Sequence, residues 1–218
     1  MNDFCVLDLS SFYFDIIKDR LYCDEADGKS RRAAQTTLYI ILDTLTRLFA
    51  PILAFTCNEV WLAMPHRGDD DARNVVFNEM HKTFDAYALD EDSMAQWDAL
   101  RRLREGVNAA LEAARAEKKI GKALEAHVTL VDGSGALDAL KARFGGEWAD
   151  VFIVSDVEVS ADNALAAQGA PTAIDGVSVI VSEAKGEKCP RCWKHSTDAN
   201  AEGLCPRCAA VCAKIAQF

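Results

Sequence analysis

The sequence predicts a mainly α protein in three parts: a helical bundle over residues 1–122, a small α+β unit over 123–184, and a zinc-ribbon-like module over 185–218. Three observations predict it. Apolar residues recur at helical spacing in several long segments before Gly121. Runs rich in β-branched residues replace that period afterwards, and two Cys-Pro-Arg-Cys quartets fall within residues 188–208. A chain of 218 residues, half of them hydrophobic and 27% charged, is long enough and apolar enough to bury more than one core. No apolar run approaches the roughly 20 residues of a membrane span. The N-terminal MNDFCVLDLS lacks the basic-then-apolar pattern of a secretory signal. The expectation is a cytoplasmic protein.

The first helix is expected over about residues 7–22, with Leu9, Tyr13, Ile16 and Ile17 inward and the polar DEADGKS stretch after it. The second runs from Ala33 to Ala50, where Leu38, Ile41, Leu42, Leu45, Leu48 and Phe49 keep the spacing of one helix face. Pro51 either opens the next helix in its first turn or kinks this one. The third segment places Leu53, Val60, Trp61 and Met64 among apolar neighbours and stops at Pro65. Residues 66–90 read as loop. The fourth helix covers about 92–119, with Trp97, Leu100, Leu103, Val107, Leu111 and Ala114 in one stripe. Its basic residues Arg101, Arg104, Arg115, Lys118 and Lys119 lie off that stripe, and Asp92 or Ser93 is the expected N-cap. Four such helices pack as a bundle. Each buried Leu or Phe stabilises by roughly 1.5–3 kcal/mol, so the stripes are core. After Gly121, AHVTLV (126–131), VFIVS (151–155) and VSVIVS (177–182) read as strands, and GALDALKARF (135–144) as a short helix.

Five of the eight cysteines lie in the last 30 residues; Cys5, Cys23 and Cys57 are scattered and read as small buried residues. Cys189, Cys192, Cys205 and Cys208 form C-x2-C-x12-C-x2-C. A two-residue spacing turns both sulfurs of a pair toward one ion, and two pairs complete a tetrahedron, which suits one structural zinc. Disulfides or iron are the rival occupants, and His195 and Cys212 are spare donors close by. Four protein ligands leave no open position for hydrolytic chemistry.

The formal charge is −10, but it is unevenly spread: residues 185–218 carry six basic and three acidic side chains and are the only basic segment. That balance excludes broad coating of a nucleic acid and admits one local patch on a phosphate backbone. Trp193 follows the first quartet, flanked by Arg191, Lys194 and His195. It either packs over the knuckle or offers a stacking face to an unpaired base.

LSSFYFDIIKDRLY (9–22), SRRAAQTTLYIILDTLTRLFAPILAFTCNEVW (30–61) and LRRLREGVNAALEAARAEKKIGKALEAHV (100–128) resemble the anticodon-binding domain of class I isoleucyl-tRNA synthetases. KCPRCWKHS and LCPRC resemble the zinc module that closes the bacterial form of that family. The resemblance covers nearly the whole chain and is weakest in 62–90 and 129–176. It implies an enzyme that activates isoleucine with ATP and transfers it to tRNA. The HIGH-like and KMSKS-like signatures and the editing domain of such enzymes are absent from this sequence. The resemblance therefore implies a carboxy-terminal piece, inactive alone, whose partners are the anticodon loop of isoleucine tRNA and the missing catalytic half, not DNA or a membrane. The tRNA-binding residues it favours are Arg20, Arg31 and Arg32 in the helical part and Arg191, Trp193 and Lys194 in the zinc module; Lys18 and Lys29 stand beside them. Two rival readings are a helical protein-interaction module with a zinc ribbon and a redox or zinc sensor built on the CxxC pairs.

Overall fold

The computed structural model describes residues 2–215, which divide into two compact units. The described residues up to Glu25 join those from Leu89 onward in one unit; Ala26–Ala88 form the other. The chain is mainly helical, as the periodicity predicts.

The first unit opens with a π-helical stretch, Phe4–Phe14, that continues as α1 (Asp15–Cys23). Helix α4 (Glu91–Ala116) begins at Asp90, whose carboxylate accepts the Ser93 N–H at 2.7 Å, two or three residues before the expected cap. Its stripe is buried as the spacing predicts: Leu100, Leu103, Val107, Leu111 and Ala114 are nearly inaccessible. They share one core with Val128 and Leu130 of β1 (Ala126–Asp132) and with residues of a four-stranded sheet. Arg101 and Arg104 turn back onto the first helix. Arg101 donates to Asp8 at 2.6 Å, and Arg104 donates to Ser11 O, Asp15 and Val151 O.

After β1 the chain runs through α5 (Asp138–Phe144) and α6 (Trp148–Val151) into β2 (Asp156–Ser160), parallel to β1. Strands β3 (Ala170–Pro171) and β4 (Val177–Glu183) complete the sheet in the order β2-β1-β4-β3, with β4 antiparallel to both neighbours. The expected strand at VFIVS is corrected. Val151 ends α6, and Phe152 and Val154 are buried in the turn after it. The strand is the next five residues, where Val157 and Val159 pack on the core and alternate with Asp156 and Glu158. A short apolar run does not distinguish a buried helix end from a buried strand.

Beyond the sheet lie β5 (Glu187–Lys188), β6 (His195–Ser196) and a helix not foreseen in the sequence, α7 (Pro206–Ile215).

The second unit holds α2 (Lys29–Phe49) and α3 (Ala54–Ala63), followed by short 3-10 turns. Its apolar core is Ala50, Cys57, Trp61 and Val75. The expected apolar stripe of α2 is not its buried face: Leu42 and Leu48 are exposed, while Asp43, Thr46 and Arg47 are buried. Asp43 accepts from Arg47 at 2.7 Å, Arg67 at 3.0 Å and His81 at 2.7 Å. Arg47 also reaches Asp70 and stacks over Trp61. Charges can be buried here because each has a partner.

Candidate metal centre

The first Cys-Pro-Arg-Cys quartet is the turn of a small hairpin, in which Glu187 and Lys188 pair with Ser196 and His195. The Cys189 N–H donates to Lys194 O and the Trp193 N–H donates to Cys189 O, both at 2.9 Å. Gly186 enters the hairpin at φ +88, where an added Cβ would lie 2.2 Å from Ser196 O, so only glycine fits. The second quartet is built differently. Asn200 Oδ1 accepts the N–H groups of Glu202 and Leu204, and Pro206 then starts α7, carrying Cys208 into its first turn.

These two turns bring the four Sγ atoms within 4.8 Å of one another, with Cys192 and Cys205 at 3.7 Å. A zinc–sulfur bond of about 2.3 Å gives a tetrahedron with edges near 3.8 Å, so the donor set fits one zinc ion. Burial raises the Cys189 pKa, but the N–H groups of Cys192, Cys205 and Arg191 outweigh it and bring the thiol down to about 6. Burial and the neighbouring thiols push Cys192 and Cys205 the other way, and a coordinated cation would reverse this by favouring thiolate. The four cysteines are a site for one zinc ion, which would supply cross-linking of the two turns rather than chemistry. His195 and Cys212 stand outside the four-sulfur group. Cys23 packs against the module, but burial and the adjacent Asp19 push its thiol up to about 11, so it remains a neutral neighbour.

The module is bolted to the unit that carries it. Arg191 donates to Cys23 O at 2.5 Å and lies 3.5 Å from Cys208 Sγ. Arg207, at the same place in the second quartet, grips the Asp19 carboxylate with both Nη atoms and reaches Asp24. Burial raises the Asp19 pKa; Arg207 and Lys194 more than reverse this and hold the carboxyl below its usual range. Lys194 pairs with Asp150 at 2.5 Å, Lys214 with Glu25 at 2.7 Å, and the His195 N–H donates to Ser155 Oγ.

The candidate nucleic-acid residues therefore differ in state. Arg191, Trp193 and Lys194 lie together at the first quartet, but the charges of Arg191 and Lys194 are engaged within the protein. Arg20 on α1 pairs with Glu147 at 3.0 Å. Arg31 and Arg32 occupy the first turn of α2, in the other unit. Trp193 is different: its residue is 59% exposed and its backbone sits at φ +67, the left-handed region. Asp19, Asp150, Arg207 and the 76% exposed Tyr22 were not singled out by the sequence. The repeated arginine at the same place in both quartets was the one available signal for the anchoring.

A family model described as the anticodon-binding domain of tRNA ligase matches residues 1–130. A second, the zinc finger found in FPG and IleRS, matches residues 186–211. Isoleucine–tRNA ligases from Syntrophotalea carbinolica, Thermoanaerobacter sp. and Geobacter sulfurreducens are 40%, 41% and 38% identical to the chain. The similarity covers 97%, 96% and 96% of this chain but 22%, 23% and 22% of those proteins, so the chain spans less than a quarter of their length.

Proposed function

We propose that this chain, which belongs to the family of anticodon-binding domains of tRNA ligases, holds the anticodon loop of a tRNA, and that the tRNA is the isoleucine acceptor named by its relatives. The observation that carries the reading is Trp193. A left-handed backbone costs a residue with a side chain of order 1–2 kcal/mol, and glycine would make the same turn without that cost. A large ring kept there and left mostly in solvent is suited to a contact outside the protein. Loop bases that are splayed out stack on such rings without regard to net charge, so an acidic body is no obstacle. Zinc sets the knuckle that presents the ring.

Arg20, Arg31, Arg32, Arg191 and Lys194 are the phosphate contacts of this reading, each reaching RNA by sharing whatever partner it has within the protein. The rest of a ligase like the relatives would carry the joining of isoleucine to tRNA and is the natural partner of this chain, in the cytoplasm. Among the described residues no helix is long and apolar enough to cross a membrane.

The test is an anisotropy titration of labelled isoleucine tRNA, and of a transcript differing only in its anticodon, with the zinc-loaded chain at fixed salt. The isoleucine anticodon binds more tightly. Trp193→Gly weakens that binding about 5- to 150-fold, the range of one lost base stack, while thermal stability holds or rises as the strained backbone relaxes. Lower stability with unchanged affinity would make Trp193 a packing residue. Failure of both RNAs to bind would end the reading.

A further inference from the structure

The four-stranded sheet ends in β3 on one side and in β2 on the other, and the two edges are built differently. Strand β3 is two residues long and contains Pro171, which has no N–H to give a further strand, so that edge is blunted. Strand β2 has five residues, DVEVS, without proline or lysine, and its register with β1 runs without a bulge. Among the described residues no strand pairs with its outer side. Alternate N–H and C=O groups of an end strand face away from its neighbour and are free to continue the ladder.

The core-facing side of this edge is open as well. Val157 and Val159 pack on the main core yet stay partly exposed, whereas Val128 and Leu130, their register partners on β1, are inaccessible. One more strand beyond β2 would cover the two valines as β2 covers its neighbour.

The opposite face of the edge is acidic. Asp156 and Glu158, two residues apart, share it, and their side chains are 68% and 60% exposed. His127 on β1 reaches them at 2.9 and 3.4 Å, and Thr129 donates to Glu158 at 3.0 Å. These contacts hold the carboxylates along the edge without covering them, and among the described residues no lysine or arginine pairs with either. The surrounding sequence has the same sign: residues 144–184 carry seven acidic side chains and no lysine or arginine.

These features select an occupant. A second copy paired edge to edge would bring the carboxylates of both chains onto one face, and like charges on paired strands are destabilising. RNA is repelled by the same charge. An extended polypeptide with lysine or arginine at alternate positions meets every requirement. Its backbone continues the ladder, its basic side chains lie beside Asp156 and Glu158, and the residues between them cover Val157 and Val159. We propose that β2 is a docking edge for a basic, extended segment of another polypeptide, bound by strand addition. The RNA-binding reading uses none of these residues, and the two stand or fall separately.

The probe is a labelled peptide of about eight residues alternating lysine and valine, titrated into the zinc-loaded chain and read by anisotropy. It binds, added salt weakens it, and hydrogen exchange slows at the amides of β2. The same peptide with its central run of amides N-methylated keeps its charge, cannot donate from either edge, and loses binding. Asp156→Lys combined with Glu158→Lys loses the lysine peptide and gains a glutamate–valine one, a reversal that a misfolded chain would not show. Loss of both peptides in that variant passes the decision to the N-methylated peptide, which leaves the protein unaltered. No binding of the lysine peptide overturns the proposal. Binding that survives N-methylation or the double substitution also overturns it, since charge elsewhere is then sufficient. Protection of β2 through self-association without peptide would make the occupant a second copy, and protection by tRNA would make it RNA; either result overturns the proposal.

Discussion

Asp132 ends β1 buried and takes five hydrogen bonds from the turn that follows: the N–H groups of Ser134, Gly135, Ala136 and Leu137, and the Ser134 hydroxyl. Burial raises its pKa, and these donors, led by the Leu137 N–H, more than reverse the effect. A carboxyl held below its unfolded value contributes stability that is complete above about pH 4 and is lost as pH falls through the folded value. Asp132→Asn replaces one acceptor oxygen with a donor facing N–H groups and costs about 1–3 kcal/mol near neutral pH. Urea unfolding at pH 7 and pH 3 checks this: the gap between wild type and variant narrows in acid. A gap that widens instead would show that the charge is not what the turn uses. Nothing in VDGSGA announces this role, because it depends on where the turn brings its N–H groups. The four zinc cysteines are the opposite case. Their geometry follows from local spacing alone, so C-x2-C twice was enough to find them. Arg191 and Lys194 were read as candidate tRNA contacts, and nothing in the sequence signalled their partners Cys23 O and Asp150, both distant in the chain.

At the scale of elements, the zinc module and the end of α1 behave as one piece. Arg191 caps a carbonyl at the close of α1, Arg207 clamps Asp19 one turn earlier, and Cys23 lies in the same small core as Cys189, Cys192, Leu204 and Cys208. Cations at a helix C-terminus also favour the helix dipole. Asp19→Asn leaves Arg207 partly buried with a weaker partner and costs about 1–2 kcal/mol, discounted for the partial exposure of the pair. Hydrogen exchange locates the effect. The amides of Arg20, Leu21, Tyr22 and Cys23 lose protection together with those of α7, whereas β1 and β4 do not change. Loss confined to α7 would show that the clamp does not hold α1. The helices themselves were legible because α4 keeps its apolar period over its whole length. Helix α2 was harder, since Asp43 and Arg47 look like surface charges until Arg67, Asp70 and His81 are seen around them. The strand at 151–155 was misplaced because buried apolar runs carry no period, although the alternation in DVEVS was there to be read.

Over the whole molecule, stability is held by different means in different places. The sheet and α4 share a broad apolar core. Apart from its cysteines, the zinc module buries only Leu204 and Val211 among its larger described apolar side chains. At roughly 1.5–3 kcal/mol per buried side chain, these cannot offset an ordering cost of about 1–2 kcal/mol for each residue of the module. Small structural zinc sites of this kind are unfolded without the metal and folded with it, because the binding free energy of the ion is their folding free energy. Chelation of the zinc therefore unfolds residues 186–215 locally and loosens the end of α1 that Arg191 and Arg207 hold, without melting the sheet. Exchange measured before and after chelation shows fast amides across both quartets and α7, retained protection in β1 and β4, and freshly reactive thiols at Cys189, Cys192, Cys205 and Cys208. Zinc added back restores all three. A module that keeps its protection without metal would mean that the ion pairs to Asp19, Asp150 and Glu25 suffice to fold it. A sheet that melts with it would mean that the zinc turns support the main core as well as the exposed Trp193.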